Sequence, residues 1–246
     1  MKHNIDQITL NNKTILITGA GDGIGKAVSL ECAKRGATVI LLGKTIKKLE
    51  QVYDEIKASG APEAAIYPMD LAGASADDYT NLSDTIDKEF GKLDGLLNNA
   101  GWLGASTPIE HYDSELWQKV LQVNLTAPFL LTRACLPVLK KSVSASIVFT
   151  ADKKQSAFWG AYGAAKSGLV TFMQILAEEL ASTNICVNAF DPGPVRTNLR
   201  TRAFPAEDVS TLKKPGDVSK PFVYLLNGDC DSLTGKIFTL EDFENS

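Results

Sequence analysis

A glycine-rich turn near the start of the chain limits the folds that this sequence can adopt. Residues 14–17 form a short, largely apolar run, glycines follow at positions 19, 21, 23 and 25, and a helical pattern starts near Lys26. Glycine lets a backbone turn sharply and approach a ligand closely, and the free N–H groups of a helix N-terminus favour an anion such as pyrophosphate. The spacing Gly19-x-x-x-Gly23-x-Gly25 differs from the G-x-G-x-x-G dinucleotide motif, so a glycine-rich surface turn is the alternative.

Strand-like and helix-like patterns alternate along the rest of the sequence. Aliphatic and β-branched runs predict strands at 14–18, 38–42, 65–70, 93–97, 145–149, 185–190 and 236–239. Helical spacing predicts helices at 26–34, 45–59, 76–90, 113–140, 160–182 and 218–226. This alternation predicts an α/β fold: a single Rossmann-type doubly wound parallel sheet with helices on both faces, in one domain over residues 1–246.

Residues 191–219 break the alternation. Four prolines, several charges and weak periodicity fill this stretch. Long connections in compact domains are usually functional, so we expect a substrate lid over about 195–219.

Composition excludes several classes of function. The chain has 246 residues with a net charge of −4 and a pI near 5.3, so it offers no basic face to a nucleic acid. Its two histidines, His3 and His111, leave almost no material for a histidine-based metal site or a Ser-His-Asp triad. We therefore expect no nucleic acid partner and no metal.

Cysteine usage and the apolar runs bear on location. The four cysteines are far apart, without a C-x-x-C pair, which favours free thiols, buried in the case of Cys32, Cys135 and Cys186; the fourth is Cys230. The first residues are polar, without the apolar core of a secretory signal, and no later run approaches the length of a membrane span. We expect a cytoplasmic protein without membrane association.

Tyr162 and Lys166 are the first candidates for chemistry. Four residues apart in a predicted helix, they lie on one helix face. A nearby cation favours phenolate, so we expect Lys166 to lower the pKa of Tyr162 from its usual ~10 towards neutrality, as an acid/base requires. A solvated surface pair is the alternative interpretation of the same spacing.

Further motifs follow in a fixed order. They are Thr18-Gly19-Ala20-Gly21-Asp22-Gly23-Ile24-Gly25, Asp70-Leu71, Asn98-Asn99-Ala100-Gly101, Asn124, the Tyr162/Lys166 pair and Pro192-Gly193 through Thr197. With these six motifs the chain resembles the short-chain dehydrogenase/reductase family over nearly its whole length. Details at 159–162, 203–205 and 212–215 are similar to a YciK-like bacterial branch of that family.

The resemblance implies an oxidoreductase that transfers hydride between a nicotinamide cofactor and a small carbonyl or alcohol substrate. Tyr162 would then donate or take the substrate proton, Lys166 would bind the nicotinamide ribose, and Asn124 would hold a water in the proton relay. The cofactor-binding residues that it implies are Thr18, Gly19, Gly21, Asp22, Gly23, Ile24, Gly25, Lys44, Asp70, Leu71, Asn99, Ala100, Gly101, Tyr162, Lys166, Pro192, Gly193, Val195 and Thr197.

Lys44 bears on the choice of cofactor. NAD-preferring members of the family carry an acid after the second strand, where this chain has Leu42-Gly43-Lys44. A lysine there can meet the 2′-phosphate, so we expect NADP(H) to be preferred over NAD(H). The alternative is that Lys44 is a solvated loop lysine.

One departure from the family pattern concerns the substrate oxygen. Family members hold it with a serine about thirteen residues before the tyrosine, but Phe149 stands there, and anchoring on Phe149-Thr150 places Asp152 at the serine position. An ionised Asp152 only accepts hydrogen bonds, whereas a protonated one donates. Thr150 and Ser156 are the other candidates to replace the serine.

Two functions follow from these observations. The first is an NADP(H)-dependent carbonyl reductase or alcohol dehydrogenase. The second is a dinucleotide-binding protein without efficient chemistry, acting as a cofactor sensor or assembly subunit because Asp152 replaces the serine. The resemblance also implies a homodimer or homotetramer formed by the helices around 117–140 and 160–182.

Overall fold

In the part of the chain that the structure describes, the sheet has seven parallel strands. The computed structural model describes residues 5–228 and 234–244. The strands are β1 Thr14–Thr18, β2 Thr38–Gly43, β3 Ala65–Pro68, β4 Gly95–Asn98, β5 Ala145–Thr150, β6 Ile185–Asp191 and β7 Ile237–Thr239. Their spatial order is β3-β2-β1-β4-β5-β6-β7, which confirms the predicted Rossmann-type fold.

Helices cover both faces of the sheet. They are α1 Gly23–Lys34, α2 Ile46–Ala58, α3 Ala76–Phe90, α4 Ser114–Leu121, α5 Ala127–Leu139, α6 Gly160–Glu179, α7 Asn198–Ala203, α8 Ser219–Leu226 and α9 Glu241–Glu244. Helices α3, α5 and α6 pack on one face, and α1, α2 and α8 on the other. Successive strand side chains point to opposite faces of the sheet. Ile147 packs against the layer of α3, α5 and α6, and Val148 packs against the layer of α1, α2 and α8.

Helix α1 starts inside the glycine turn, three residues before the predicted position. Asp22 is its N-cap, and the Asp22 Oδ1 atom accepts a hydrogen bond of 2.8 Å from the Gly23 N–H. The backbone of the turn closes tightly on itself, because a Cβ atom at residue 25 would lie 2.2 Å from the Gly19 carbonyl oxygen. Only glycine fits at residue 25.

The predicted helix 113–140 is divided by a π-helical turn at Gln122–Thr126, between α4 and α5. Pro128 has no N–H, so it cannot donate to the carbonyl oxygen of Asn124 four residues earlier, as a regular α-helix requires. In the same turn, the side-chain amide of Asn124 donates to the Val120 carbonyl oxygen at 2.8 Å, and a side chain inserted in this way interrupts the helix. Such turns occur frequently at functional sites. The prediction of one continuous helix is therefore wrong at the position of Asn124.

The predicted lid contains regular structure that its weak periodicity did not indicate. Thr197 caps α7 by accepting a hydrogen bond from the Arg200 N–H at 3.2 Å. A parallel bridge pairs Val195 with Lys213, and short 3-10 turns follow at Val209–Thr211 and Pro215–Val218. The segment is thus a folded excursion rather than an irregular loop.

The cysteines differ from one another. Cys32 and Cys135 are buried free thiols, as predicted. Cys186 is disulfide-bonded, so the prediction of a free thiol there is wrong. Cys230 lies outside the described residues. Within 5–228 and 234–244, no helix combines the length and the apolarity that crossing a bilayer requires.

Candidate active site

The candidate residues gather at the carboxyl ends of the strands. The strand order reverses between β1 and β4, the position where ligands of such sheets bind. The glycine turn follows β1, Asn98 ends β4, and Thr150 ends β5. The fold therefore brings motifs from distant parts of the sequence to one edge of the sheet.

Thr18 joins the ends of β1 and β4. Its hydroxyl donates to the Leu97 carbonyl at 3.2 Å and accepts from the N–H groups of Asn99 and Ala100, each at 2.9 Å. The Asn99 side-chain amide donates to the Thr18 carbonyl at 3.1 Å. Thr18 thus fixes the backbone at Asn99 and Ala100. Gly101 follows, and a Cβ atom at that residue would lie 3.2 Å from the Asn124 Oδ1 atom.

Asp22 connects the glycine turn with α2 and the lid. Its Oδ2 atom lies 2.5 Å from the Lys48 Nζ atom and accepts a hydrogen bond of 2.7 Å from the Asn198 side-chain amide. Burial opposes the charge, but the hydrogen bonds from Lys48, Gly23 and Asn198 outweigh it and lower the pKa of Asp22. Sequence reasoning missed Lys48 and Asn198, because nothing in their local pattern points to Asp22.

The lid touches the start of α1. A Cβ atom at residue 23 would lie 3.3 Å from the Thr197 Cγ2 atom. Pro192 is buried, Gly193 donates its N–H to the Asp191 carboxylate at 3.0 Å, and Val195 is buried. The P-G-x-x-x-T segment thus leads from the end of β6 to the glycine turn.

The residues predicted at the far end of the cofactor site differ in exposure. Lys44 is exposed directly after β2, and Asp70 is exposed after β3. The Asp70 carboxylate accepts from the Ala72 N–H at 3.1 Å. Leu71 is buried, and its carbonyl oxygen lies 3.4 Å from the Gln122 amide nitrogen. Ile24 is half-buried in the first turn of α1.

Tyr162 and Asp152 form the centre of the site. The Tyr162 hydroxyl donates to the Asp152 Oδ2 atom at 3.0 Å, and the tyrosine side chain is buried. Burial, then the charge of Asp152 and its hydrogen bond, and then the charge of Asp191 raise the pKa of Tyr162 well above its usual value. The expectation that Lys166 brings this pKa towards neutrality is therefore wrong.

Lys166 lies beside Tyr162 but bonds elsewhere. Its Nζ atom donates to the Thr150 carbonyl oxygen at 2.7 Å and lies 5.8 Å from the centre of the Tyr162 ring. Burial lowers the pKa of Lys166 to about 8, although the charges of Asp152 and Asp191 oppose the shift. Lys166 therefore makes no hydrogen bond to the phenol that would oppose the effects of burial and Asp152, which raise the pKa of Tyr162.

Of the three candidates for the missing serine, only Asp152 contacts Tyr162. The Thr150 hydroxyl donates to the Asn99 Oδ1 atom at 3.3 Å, on the side of the glycine turn. Ser156 is exposed in the loop before α6. The anchoring of Asp152 at the serine position thus agrees with the geometry.

Lys154 is a site residue that sequence reasoning missed. Its Nζ atom lies 3.0 Å from the Asp152 Oδ1 atom and 5.3 Å from the centre of the Trp159 ring. Trp159 in turn packs against the rings of Tyr162 and Phe204, both at 5.8 Å between centroids. The Lys153-Lys154 pair directly after Asp152 was the available signal, but a lysine pair in a loop is usually solvated.

Asn124 is buried and held on both sides of its amide. The amide nitrogen donates to the carbonyl oxygens of Trp102 and Val120, each at 2.8 Å, and the Oδ1 atom accepts from the Trp102 N–H at 3.1 Å. This side chain connects the π-helical turn with the loop after β4. Asn124 therefore holds the backbone at Trp102, in the loop after β4, against the π-helical turn.

Sequence comparison places these residues among known proteins. The family model described as short chain dehydrogenase matches residues 13–208. The oxidoreductase YciK of Escherichia coli strain K12 is 39% identical over 241 residues, which cover 97% of this chain and 95% of YciK.

Solved structures are similar over the same extent. A short chain dehydrogenase of Shigella flexneri complexed with NADP is 39% identical, with a TM-score of 0.91 over 96% of this chain and 99% of that one. A short chain dehydrogenase of Escherichia coli CFT073 complexed with NADPH is 40% identical, with a TM-score of 0.89 over 94% and 97% of the two chains.

Proposed function

Because this chain belongs to the short-chain dehydrogenase/reductase family of oxidoreductases, we propose that it is an NADP(H)-dependent carbonyl reductase with Tyr162 as the proton donor. The proposal takes residues 1–246 as one domain and a small carbonyl compound as substrate, with the corresponding alcohol as product. The observation that carries it is the buried, protonated phenol of Tyr162 at the carboxyl ends of the strands.

A raised pKa suits Tyr162 to reduction. A phenol that stays neutral at physiological pH can donate a proton, and the alkoxide that forms when a carbonyl is reduced is a much stronger base than a phenolate. Proton transfer from Tyr162 to the product oxygen is therefore downhill. The reverse direction would need a phenolate, which burial and Asp152 disfavour.

The residues of the glycine turn fit a dinucleotide. Because Gly25 has no Cβ atom, the backbone of the turn can pack closely against it at Gly19. The N–H groups at the start of α1 suit a pyrophosphate. When bound, a nicotinamide dinucleotide supplies the hydride for the carbonyl carbon. The relatives crystallised with NADP and NADPH support this class of cofactor. The proposed preference for NADP(H) rests on Lys44, exposed at the end of β2.

Two further residues have positioning or binding roles in the proposal. Lys166 holds its ammonium group next to Tyr162, where it would bind the nicotinamide ribose. Asn124 fixes the loop after β4 and would hold a water of the proton relay. The remaining glycine-turn and lid residues would surround the cofactor, in agreement with their place at the strand ends.

A specific contact favours the second candidate function. The only proton of the Tyr162 hydroxyl is directed at Asp152, so the phenol is already engaged by the protein itself. A dinucleotide-binding protein without efficient chemistry, a cofactor sensor or assembly subunit, would tolerate that engagement. The same experiment decides between the two functions.

The test is turnover of NADPH with a panel of ketones, aldehydes and quinones. We expect NADPH oxidation by the wild type and a loss of about 10²–10⁴-fold in kcat for Tyr162→Phe. Tyr53→Phe, on α2 and away from the strand ends, is the matched control and should keep full activity. Binding of NADPH without turnover of any substrate would favour the second function instead.

We also propose a homodimer or homotetramer built on α5 and α6. Phe129 and Ile175 are exposed on these helices, and Phe129 packs edge-on against the Phe172 ring. An assembly would cover these apolar side chains. Light scattering should give at least twice the chain mass, reduced by Phe129→Glu and not by Ile46→Glu, which changes an exposed isoleucine on α2. A wild-type monomer would contradict the proposal.

A further inference from the structure

We infer that Lys154 donates the second hydrogen bond to the substrate oxygen, in the role that a serine hydroxyl has in the family. This inference rests on the proposed carbonyl reduction and adds a catalytic residue to it. The resting structure contains the two donors that the reaction needs, with the Asp152 carboxylate bound between them.

The two oxygen atoms of Asp152 mark the position of these donors. The Tyr162 hydroxyl is 3.0 Å from Oδ2, and the Lys154 Nζ atom is 3.0 Å from Oδ1. A carbonyl oxygen that gains negative charge needs the same type of donors at the same distances. Asp152 therefore holds both donors in the substrate-free protein, one at each of its carboxylate oxygens.

The backbone of Lys154 is held against α6. A Cβ atom at Gly163, the residue after Tyr162, would lie 2.3 Å from the Lys154 carbonyl oxygen and 3.2 Å from the Trp159 Cβ atom. The missing side chain at Gly163 therefore lets the loop approach the helix closely. This close contact fixes the backbone position of Lys154 relative to α6, the helix that carries Tyr162.

The side chain of Lys154 is confined as well. Its ammonium group lies over the Trp159 ring at 5.3 Å, a cation–π contact, and about three quarters of the side chain is buried. The charge of Lys154 also helps to lower the pKa of Glu207, but the Glu207 carboxylate is bound by Arg200 through two hydrogen bonds of 2.7 and 2.5 Å. Lys153 next to it is exposed. Packing and the ion pair with Asp152 thus hold the Lys154 ammonium group in one position, whereas the Lys153 side chain extends into solvent.

Substrate binding would exchange one acceptor for another. The Asp152 side chain is about one quarter exposed, so its carboxylate can turn towards solvent when a carbonyl oxygen takes its place. In the reduction, the carbonyl carbon gains the hydride that the reduced nicotinamide cofactor would supply, the oxygen takes the Tyr162 proton, and the C=O double bond becomes a single bond. The Tyr162 phenolate then regains a proton from water. Lys154 keeps its proton throughout and stabilises the developing charge through a charge-assisted hydrogen bond.

The first experiment compares variants of the two neighbouring lysines. With NADPH and the best substrate of the panel, Lys154→Met should lose about 10²-fold in kcat with a smaller change in KM, because loss of one oxyanion donor commonly costs ~10²–10³-fold. Lys154→Arg keeps a cation and should recover part of the loss. Lys153→Met is the matched control and should leave kcat unchanged. Equal kcat for Lys154→Met and the wild type would overturn the inference.

A double-mutant cycle separates donation from mere neutralisation of Asp152. If Lys154 only balances the Asp152 charge, Lys154→Met costs nothing in an Asp152→Ala background. If Lys154 donates to the substrate, the loss of about 10²-fold persists in that background. Thermal unfolding of each variant checks that the folded protein is being compared.

A crystal structure with NADP and the alcohol product gives a readout that does not depend on turnover. The product oxygen should lie within hydrogen-bond distance of both the Tyr162 hydroxyl and the Lys154 Nζ atom. A product oxygen bound to Tyr162 while Lys154 stays on Asp152 would overturn the inference and leave the proposed function intact. An inactive wild type would overturn both, whereas an active wild type with an inactive Tyr162→Phe and a fully active Lys154→Met would overturn the inference alone.

Discussion

The Lys166 ammonium group donates a hydrogen bond of 2.7 Å to the carbonyl oxygen of Thr150, the last residue of β5. A buried cation is thereby fixed to the end of a central strand by one neutral acceptor. Its charge is only partly compensated at longer range by Asp152 and Asp191, and burial therefore lowers its pKa to about 8. This arrangement makes protein stability depend on pH.

Lys166→Met should remove a pH-dependent term from the stability. Below pH 8 the lysine is charged in both states, so folding carries the full cost of burying the charge; above its unfolded pKa of ~10.4 it is neutral in both, and the cost vanishes. The wild type should therefore gain about 2–3 kcal/mol relative to Lys166→Met between pH 8 and ~10.4. Urea unfolding at pH 7, 9 and 10 measures this, and a constant difference would contradict it.

Asp152→Ser should raise the activity. The change removes a negative charge next to the developing oxyanion, supplies a hydroxyl donor and frees the Tyr162 hydroxyl from its present acceptor. Since Lys154 already supplies one donor, we expect a gain of about tenfold in kcat rather than the full ~10²–10³ of a missing donor. Steady-state kinetics with NADPH measure it, and a lower kcat in a folded variant would argue against the placement of Asp152.

The same substitution should change the pH profile. Burial is the largest cause of the raised pKa of Tyr162, and the charge of Asp152 is the next. Removing that charge lowers the pKa, so the decline of carbonyl reduction at alkaline pH should start at a lower pH in Asp152→Ser than in the wild type. A profile of kcat/KM that extends above pH 10 for both proteins decides it, since the wild-type decline lies above the usual tyrosine pKa, and the opposite shift would exclude Tyr162 as the titrating acid.

Lys44→Ala should reduce the preference for NADPH. Lys44 is exposed after β2, so the proposed contact with the 2′-phosphate is a solvent-screened ion pair. We expect the Kd of NADPH to rise about tenfold, less at high salt, while that of NADH stays the same. Lys47→Ala, an exposed lysine on α2, is the matched control in a fluorescence titration. A parallel loss for both cofactors would place the 2′-phosphate elsewhere.

Gly25→Ala should abolish dinucleotide binding. The added Cβ atom would meet the Gly19 carbonyl oxygen at 2.2 Å, so the turn must open, at a cost of about 1–3 kcal/mol in the free energy of unfolding. Gly73→Ala is the control, since a Cβ atom there meets nothing within 4 Å. Calorimetric titration with NADPH checks the prediction, and tight binding by a folded Gly25→Ala protein would refute it.

Sequence patterns sufficed for most of the sheet and its helices. Strands such as β1, β2 and β5 are almost wholly buried, so their aliphatic runs are distinctive, and helices alternate with the strands along the chain. The π-helical turn at Asn124 and the lid helix α7 were not predicted from the sequence, because each depends on a few local hydrogen bonds rather than on periodicity. Local patterns predict elements well when burial determines them, and poorly when single contacts do.

The candidate site was predictable only in part, for a related reason. The residue types and spacing of Tyr162 and Lys166 are visible in the sequence, but which partner each group bonds to depends on the path of the loop between β5 and α6. That path brings Asp152 to the phenol and leaves Lys166 with a backbone carbonyl. The predicted direction of the Tyr162 pKa shift was wrong because it considered the spacing in one helix and neither the burial of the phenol nor the charge of Asp152 in the neighbouring loop.

The close approach of the Lys154 carbonyl to Gly163 restricts the order in which this region can change during evolution. A mutation that adds a side chain at residue 163 would displace the loop, and with it both the Asp152 carboxylate and the Lys154 ammonium group. A change in the loop that withdraws the Lys154 carbonyl must therefore come first, and only then does residue 163 become free to vary. A descendant lineage that acquires a longer loop could pass through intermediates with glycine still in place, whereas the opposite sequence of steps would pass through a protein with a disrupted site.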